Sequence, residues 1–217
     1  DPVTPSLKED CSGLVIGSVT NFATAEGVSA ESRQACERAL DVYRSLGAEI
    51  RPVTMPDLWD YTIANTTIMT AEGFAIHSDR MRQHLSEISY LTRHRIALGA
   101  FIPGEAYIKA QKARRKLTED TRQIMDVNGL DLLCYPAMLG DPPKLDDMTP
   151  YYYLDLPLIT APANLTGMPA SSVRAGFSEA NMPMAFQLSG RHFDDGKVLQ
   201  AAHAYEIATP DFARIVE

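Results

Sequence analysis

An α/β fold is predicted by three stretches near the start of the chain. Leu14 to Val19 is an apolar run punctuated by Gly13 and Gly17, the pattern of a buried strand. Ser29 to Leu46 carries its apolar residues at helical spacing. Ala48 to Val53 is a second short strand, and its Pro52 suits a sheet edge or a strand end. A strand–helix–strand unit of this kind predicts a right-handed crossover.

The 29–46 helix follows from one apolar face, made by Ala35, Ala39, Leu40, Val42, Tyr43 and Leu46. Ser29 is the N-cap, and Gly47 closes the helix. Ser32 stands at the third helical position, so there is no capping box. From Leu58 to Leu98 the pattern is helical but loop-broken. Ile63, Met69, Ala71, Phe74 and Ile76 predict one helix, and Met81–Leu85 and Leu91–Leu98 predict shorter ones. Pro103 opens a long helix reaching Asn128.

Leu130 to Tyr135 is the next strand, ended by Pro136. A loop of about two dozen residues follows, from Ala137 to Ala161, a length usual for functional or disordered segments. It holds Asp141-Pro142-Pro143, the acidic pair Asp146-Asp147 and the aromatic run Tyr151-Tyr152-Tyr153. Ala163 to Pro169 reads as further loop. Strands at Ala170–Arg174 and Met184–Leu188 lead to a last helix from Asp194 to Ile207. Residues 1–217 read as a single domain, with no internal repeat or low-complexity tract.

Composition excludes several classes. With 45% hydrophobic and 22% charged residues, the chain is too apolar for disorder. A net charge of −8 disfavours nucleic acid as a partner. The basic residues of the long helix, from Lys109 to Arg122, are broken by Glu119 and Asp120 and read as a solvated face. No apolar run approaches the roughly 20 residues of a membrane span. The start, Asp1-Pro2-Val3-Thr4, has neither half of a signal peptide. Cys11, Cys36 and Cys134 have no metal-like spacing and read as structural thiols, so a cytoplasmic setting is expected.

Local chemistry is sparse. His77, His84, His94, His192 and His203 show no zinc-like spacing. There is no G-x-S-x-G elbow and no phosphate-binding glycine loop. Ser171-Ser172 falls at a strand start, without a Gly-rich turn to expose a hydroxyl. No metal or cofactor is expected.

Longer blocks say more. Ala163-Asn164-Leu165-Thr166-Gly167-Met168-Pro169-Ala170, followed by Met182-Pro183-Met184-Ala185-Phe186-Gln187, resembles the closing motif of the amidase-signature hydrolases. Ala71-Glu72 with His77 is similar to that family's A-E-x-x-x-x-H segment, and Arg93 to Gly99 resembles its R-x-R-x-x-x-G stretch. Tyr107, Ala110 and Arg114 match Y-x-x-A-x-x-x-R, while Asp131 to Ala137 resembles D-x-L-hydrophobic-x-P-T, with Ala137 where Thr is usual. Phe193 to Leu199 is similar to the final F-x-D/E-x-x-L-L turn.

The resemblance implies a mixed central sheet flanked by helices, and a hydrolase of carboxamides. The family uses a nucleophilic serine, a bridging serine and a lysine base, all in segments upstream of the blocks seen here. No G-G-S-S-G-G-like run is present, so the triad maps onto no residue of this chain. The chain is therefore expected to be the downstream, substrate-pocket part of an amidase acting on linear amides. Its expected partners are an N-terminal catalytic chain of the same enzyme and a small-molecule amide, with a homo-oligomer left open. Such a part alone is expected to leave an apolar sheet face uncovered.

Pocket candidates sit on loops at strand ends. Met138 follows Tyr135-Pro136, and Tyr153 and Asp155 lie on the long loop. Arg95 stands where the related glutamine-handling amidotransferase subunits place a carboxylate-binding Arg; the alternative is an ion pair with Glu72 or Glu87. Asp155 is offset by about two residues from the acid that those subunits carry. Asn164 and Gln187 are expected to pin loops by hydrogen bonds. Two other readings stand beside the amidase: the A-subunit of a glutamine-dependent tRNA amidotransferase, and a non-catalytic interaction module on the same scaffold.

Overall fold

A computed structural model describes residues 7–213, so the first four residues read above lie outside the described ones. Strand β1 (Val15–Val19) runs straight into a short helix α1 (Thr20–Ala23). Helix α2 (Ala30–Ser45) and strand β2 (Glu49–Val53) complete the expected first unit. Ser29 caps α2 as expected, its hydroxyl accepting the Ser32 N–H at 3.0 Å. Helices α3 (Leu58–Gln83), α4 (Tyr90–Ala97) and α5 (Gly104–Val127) follow. Strand β3 (Leu132–Pro136), helix α6 (Ala161–Thr166), strands β4 (Ala170–Phe177) and β5 (Pro183–Gly190), and helix α7 (Asp195–Ala208) end the succession.

The five strands form one mixed sheet in the order β2-β1-β3-β5-β4. β2, β1 and β3 are parallel, while β5 runs antiparallel to both β3 and β4. β2 is an edge, which accommodates Pro52 opposite Ser18. β3 is central and buried at every position.

Helices cover both faces. On one, Ile16, Leu132, Phe186 and Leu188 pack with residues of α2 and α7. On the other, Val19, Val53, Leu133 and Tyr135 pack with residues of α3, α5 and α6. The expectation of an uncovered apolar sheet face is therefore corrected. The exposed positions along β4 are Ala170, Ser172 and Arg174, small or polar, and the exposed large apolar side chains of the helices include Ile63, Met69, Ile76 and Ile108.

Two local expectations also change. The stretch to Gln83 is one continuous 26-residue helix, so Met81–Gln83 forms its end and Leu85 begins a 3-10 turn, Leu85–Glu87. Gly73 sits inside it with open space around its Cα, and its cost of about 1 kcal/mol is too small to break a packed helix. Ala163 to Thr166 is helix, not loop. Pro162 fits its first turn, and Gly167 closes it at φ 76°.

Candidate functional site

The family-like blocks act first as ties. Asp131 Oδ2 accepts the Val15 N–H at 2.9 Å, and its Oδ1 accepts Lys197 Nζ at 2.8 Å. Lys197 also reaches Asp194 at 3.0 Å. The start of β3 is thereby fastened to β1 and to α7. Desolvation pushes the Asp131 carboxyl up, but the Lys197 ammonium, the Val15 N–H and the Arg191 charge together hold it below the usual range. Glu72 of α3 accepts the Tyr107 hydroxyl of α5 at 2.8 Å. Gln187 is buried, and its amide donates to the Tyr135 hydroxyl at 2.9 Å, which is 2.8 Å from Ser189 Oγ. It thus joins two strands and pins no loop. Asn164 is exposed and makes no side-chain hydrogen bond among the described residues.

Beyond the carboxyl ends of the parallel strands, side chains tie the backbone of neighbouring segments together. Asn21 pairs with both backbone groups of Met55, at 2.9 and 3.0 Å. Beyond Pro136 the long loop starts across α2. Ser32 Oγ donates to the Met138 carbonyl at 2.6 Å, and the Ser29 N–H to that of Leu139 at 2.6 Å. The loop then crosses to the other layer, where the Leu158 N–H donates to Thr62 Oγ1 at 2.9 Å.

Between these anchors lies Arg95. Its Nε donates to the Pro150 carbonyl at 3.2 Å. Its guanidinium carbon stands 5.1 Å from the ring centre of Tyr152 and 4.7 Å from that of Tyr153. The two rings are nearly perpendicular, at 83°. Neither Glu72 nor Glu87 is its partner: Glu72 serves Tyr107, and Glu87 serves Arg80 and His84. The Tyr153 hydroxyl is buried without a hydrogen-bond partner among the described residues, and so is that of Thr66. Thr66 lies one turn along α3 from Thr62, on the face that the loop crosses. Burial pushes the Tyr153 phenol up, against the opposing pull of Arg95.

Of the four candidates, Arg95 and Tyr153 are brought together. Asp155 follows the turn Tyr152–Leu154, exposed and without an ion pair among the described residues. Met138 packs against the α2–α7 layer. Two residues escape a reading of the sequence: Tyr152, as a ring against Arg95, and Thr66. The Tyr run is the signal for the first; for the second there is only a row of threonines at helical spacing, Thr62, Thr66 and Thr70.

A separate groove of about 590 Å³ lies between α3 and α5, lined by Ile63, Ala64, Ala110, Ala113 and Leu117 among others, and includes none of the four. Ser171 and Ser172 sit in the ladder opposite Leu188 and Gln187. Among the described residues no group of three or more His, Cys, Asp or Glu is placed to hold a metal ion. None of the helices there is long and apolar enough to cross a membrane.

Comparison with known proteins gives a consistent picture. A family model described as Amidase matches residues 1–199. The A-subunit of glutamyl-tRNA(Gln) amidotransferase from Oceanobacillus iheyensis is 31% identical over 232 residues, covering 95% of this chain and 47% of that protein. The solved structure of a bacterial aryl acylamidase of the amidase-signature family superposes with a TM-score of 0.78 at 21% identity, over 99% of this chain and 49% of the other. The A-subunit of the Thermotoga maritima amidotransferase gives a TM-score of 0.64 at 27% identity, over 92% and 43%. The chain thus spans about half the length of the relatives it matches.

Proposed function

The chain belongs to the amidase family, and on that premise we propose that it is the substrate-pocket and scaffold half of an amidase, cleaving a carboxamide C–N bond. In this reading residues 1–217 act as one unit. The two serines and the lysine of the triad reside on an N-terminal chain or segment. A serine hydroxyl becomes nucleophilic when a neutral base takes its proton, and a lysine is neutral only where burial and neighbours lower its pKa. Backbone N–H groups then stabilise the oxyanion. This half supplies the walls that orient the amide before that attack.

The observation that carries the reading is the placement of Arg95. One N–H holds Pro150 and two rings flank the guanidinium, while its terminal nitrogens make no hydrogen bond among the described residues. A cation so fixed can read a carboxylate or carbonyl oxygen at the far end of a substrate. Tyr153 and Asp155 stand on the loop that meets Arg95, and Met138 lies where that loop leaves β3.

A second reading is favoured by the relatives' names and by the same arginine: the A-subunit of a glutamine-dependent tRNA amidotransferase, with Arg95 on the glutamine carboxylate. Assaying the complete enzyme with glutamine and with neutral aryl and alkyl amides separates the two. The amidase reading expects turnover of neutral amides, and the amidotransferase reading expects glutamine to be preferred. Arg95→Lys raises KM in either case; an unchanged KM for every substrate removes Arg95 from the pocket.

A further inference from the structure

We propose that Cys36 and Cys134 form a dithiol that closes to an intramolecular disulfide when the protein meets a peroxide, tying α2 to β3. The two sulfurs stand 3.9 Å apart although the residues are 98 positions apart in the chain. Both side chains are buried, so no solvent layer separates them.

The backbone around the pair is already anchored. Ser32, one turn before Cys36 on α2, holds the Met138 carbonyl, and Ser29 holds that of Leu139. Cys134 itself is locked in the ladder opposite Ser18 and Leu188. A disulfide bond is about 2.05 Å long, so closure asks side-chain rotation for the remaining approach.

The chemistry balances with a peroxide as oxidant. The hydrogen bond to Cys36, with burial, holds the Cys134 thiol well above the ordinary range, which suits Cys134 to the second, resolving step. The Cys36 thiolate attacks one peroxide oxygen. The O–O bond breaks, Cys36 becomes a sulfenic acid, and the released hydroxide takes up the proton lost by Cys36. The Cys134 sulfur then attacks the Cys36 sulfur, and the sulfenic hydroxyl leaves with the Cys134 proton as water. Two thiols are oxidised and one peroxide is reduced to two waters. Cys11 stands apart: its thiol is pushed up to about 11 by burial and by Asp10, and it makes no sulfur contact among the described residues.

The test treats the folded chain with hydrogen peroxide over a range of pH, then unfolds it and blocks free thiols with N-ethylmaleimide. Peptide mapping is expected to show one linked peptide pair, Cys36 with Cys134, and an alkylated Cys11. Linkage is expected to accelerate as the pH rises. Cys11→Ser retains the link; Cys36→Ser and Cys134→Ser abolish it. The map of the unsubstituted protein decides the matter even where a variant misfolds. Three alkylated cysteines after peroxide, or a link through Cys11, would overturn the proposal.

Discussion

The guanidinium of Arg95 on α4 lies 4.7 Å from the ring centre of Tyr153, on a loop that leaves the central strand of the sheet. This contact joins two parts of the chain that the sequence nominates separately. It also fixes the cation on one side and leaves its terminal nitrogens for another acceptor. A planar cation over a ring is worth about 0.5–1 kcal/mol at an exposed site.

Arg95→Lys keeps the charge and loses the planar fork. The loop around Tyr152 and Tyr153 is expected to loosen while the sheet stays intact. Limited trypsin digestion checks this: cleavage after Lys144 is expected several-fold faster, with the melting temperature nearly unchanged. Equal cleavage rates would show that Arg95 does not hold the loop.

Tyr135→Phe and Tyr153→Phe make a matched pair. The Tyr135 hydroxyl is buried with two partners, Ser189 and Gln187, and its loss leaves them without it. A cost of about 1–3 kcal/mol is expected. The Tyr153 hydroxyl is buried with none among the described residues, so its removal is expected to be neutral or stabilising. Chemical denaturation of the two variants gives both numbers, and a reversed order contradicts the assignment.

Acid sensitivity follows from Asp131. Its carboxyl is held low in the folded chain, so its contribution is complete above the unfolded carboxylate range, near pH 4, and is lost as pH falls through the folded value. Lys197, raised chiefly by its hydrogen bond to Asp131, works in the opposite direction and loses its contribution as pH rises through its folded value. Because Lys197 is partly exposed, the pair contributes about 0.2–1 kcal/mol. Asp131→Asn is expected to flatten the acid limb of the stability curve; an unchanged limb would assign that slope to other carboxylates.

Gly99→Ala tests the packing of the turn after α4 onto α3. An added Cβ would meet the Thr70 carbonyl oxygen at 2.2 Å and the Phe74 Cβ at 2.4 Å. Backbone lies in the way, so a loss of about 1–3 kcal/mol is expected in a denaturation series. A neutral result would mean that this turn is free to move.

Where local chemistry alone decides an element, the sequence is legible. Ser29 and Gly47 bound α2, and Pro52 marks β2 as an edge. Where tertiary packing decides, it is not. The end of α3 is carried through Met81 as helix although its residues lack a clear apolar face, and α6 is too short for periodicity to register. In the candidate site, Arg95 and Tyr153 are each visible as residue types on informative segments. Their meeting depends on how a long loop crosses α3, through Thr62 and Leu158, and no local pattern encodes that path. Met138 draws notice by its place after β3, but its backbone is held by Ser32 of α2 and its side chain packs on the α2–α7 layer.

The central claim is that the reacting serine comes from outside these residues. Labelling the purified, active material with a serine-directed fluorophosphonate and weighing every polypeptide by intact mass spectrometry tests it most directly. The account predicts a tagged companion polypeptide or upstream segment, with residues 1–217 unmodified. A tag on Ser171, Ser172 or any other serine of this sequence would contradict it.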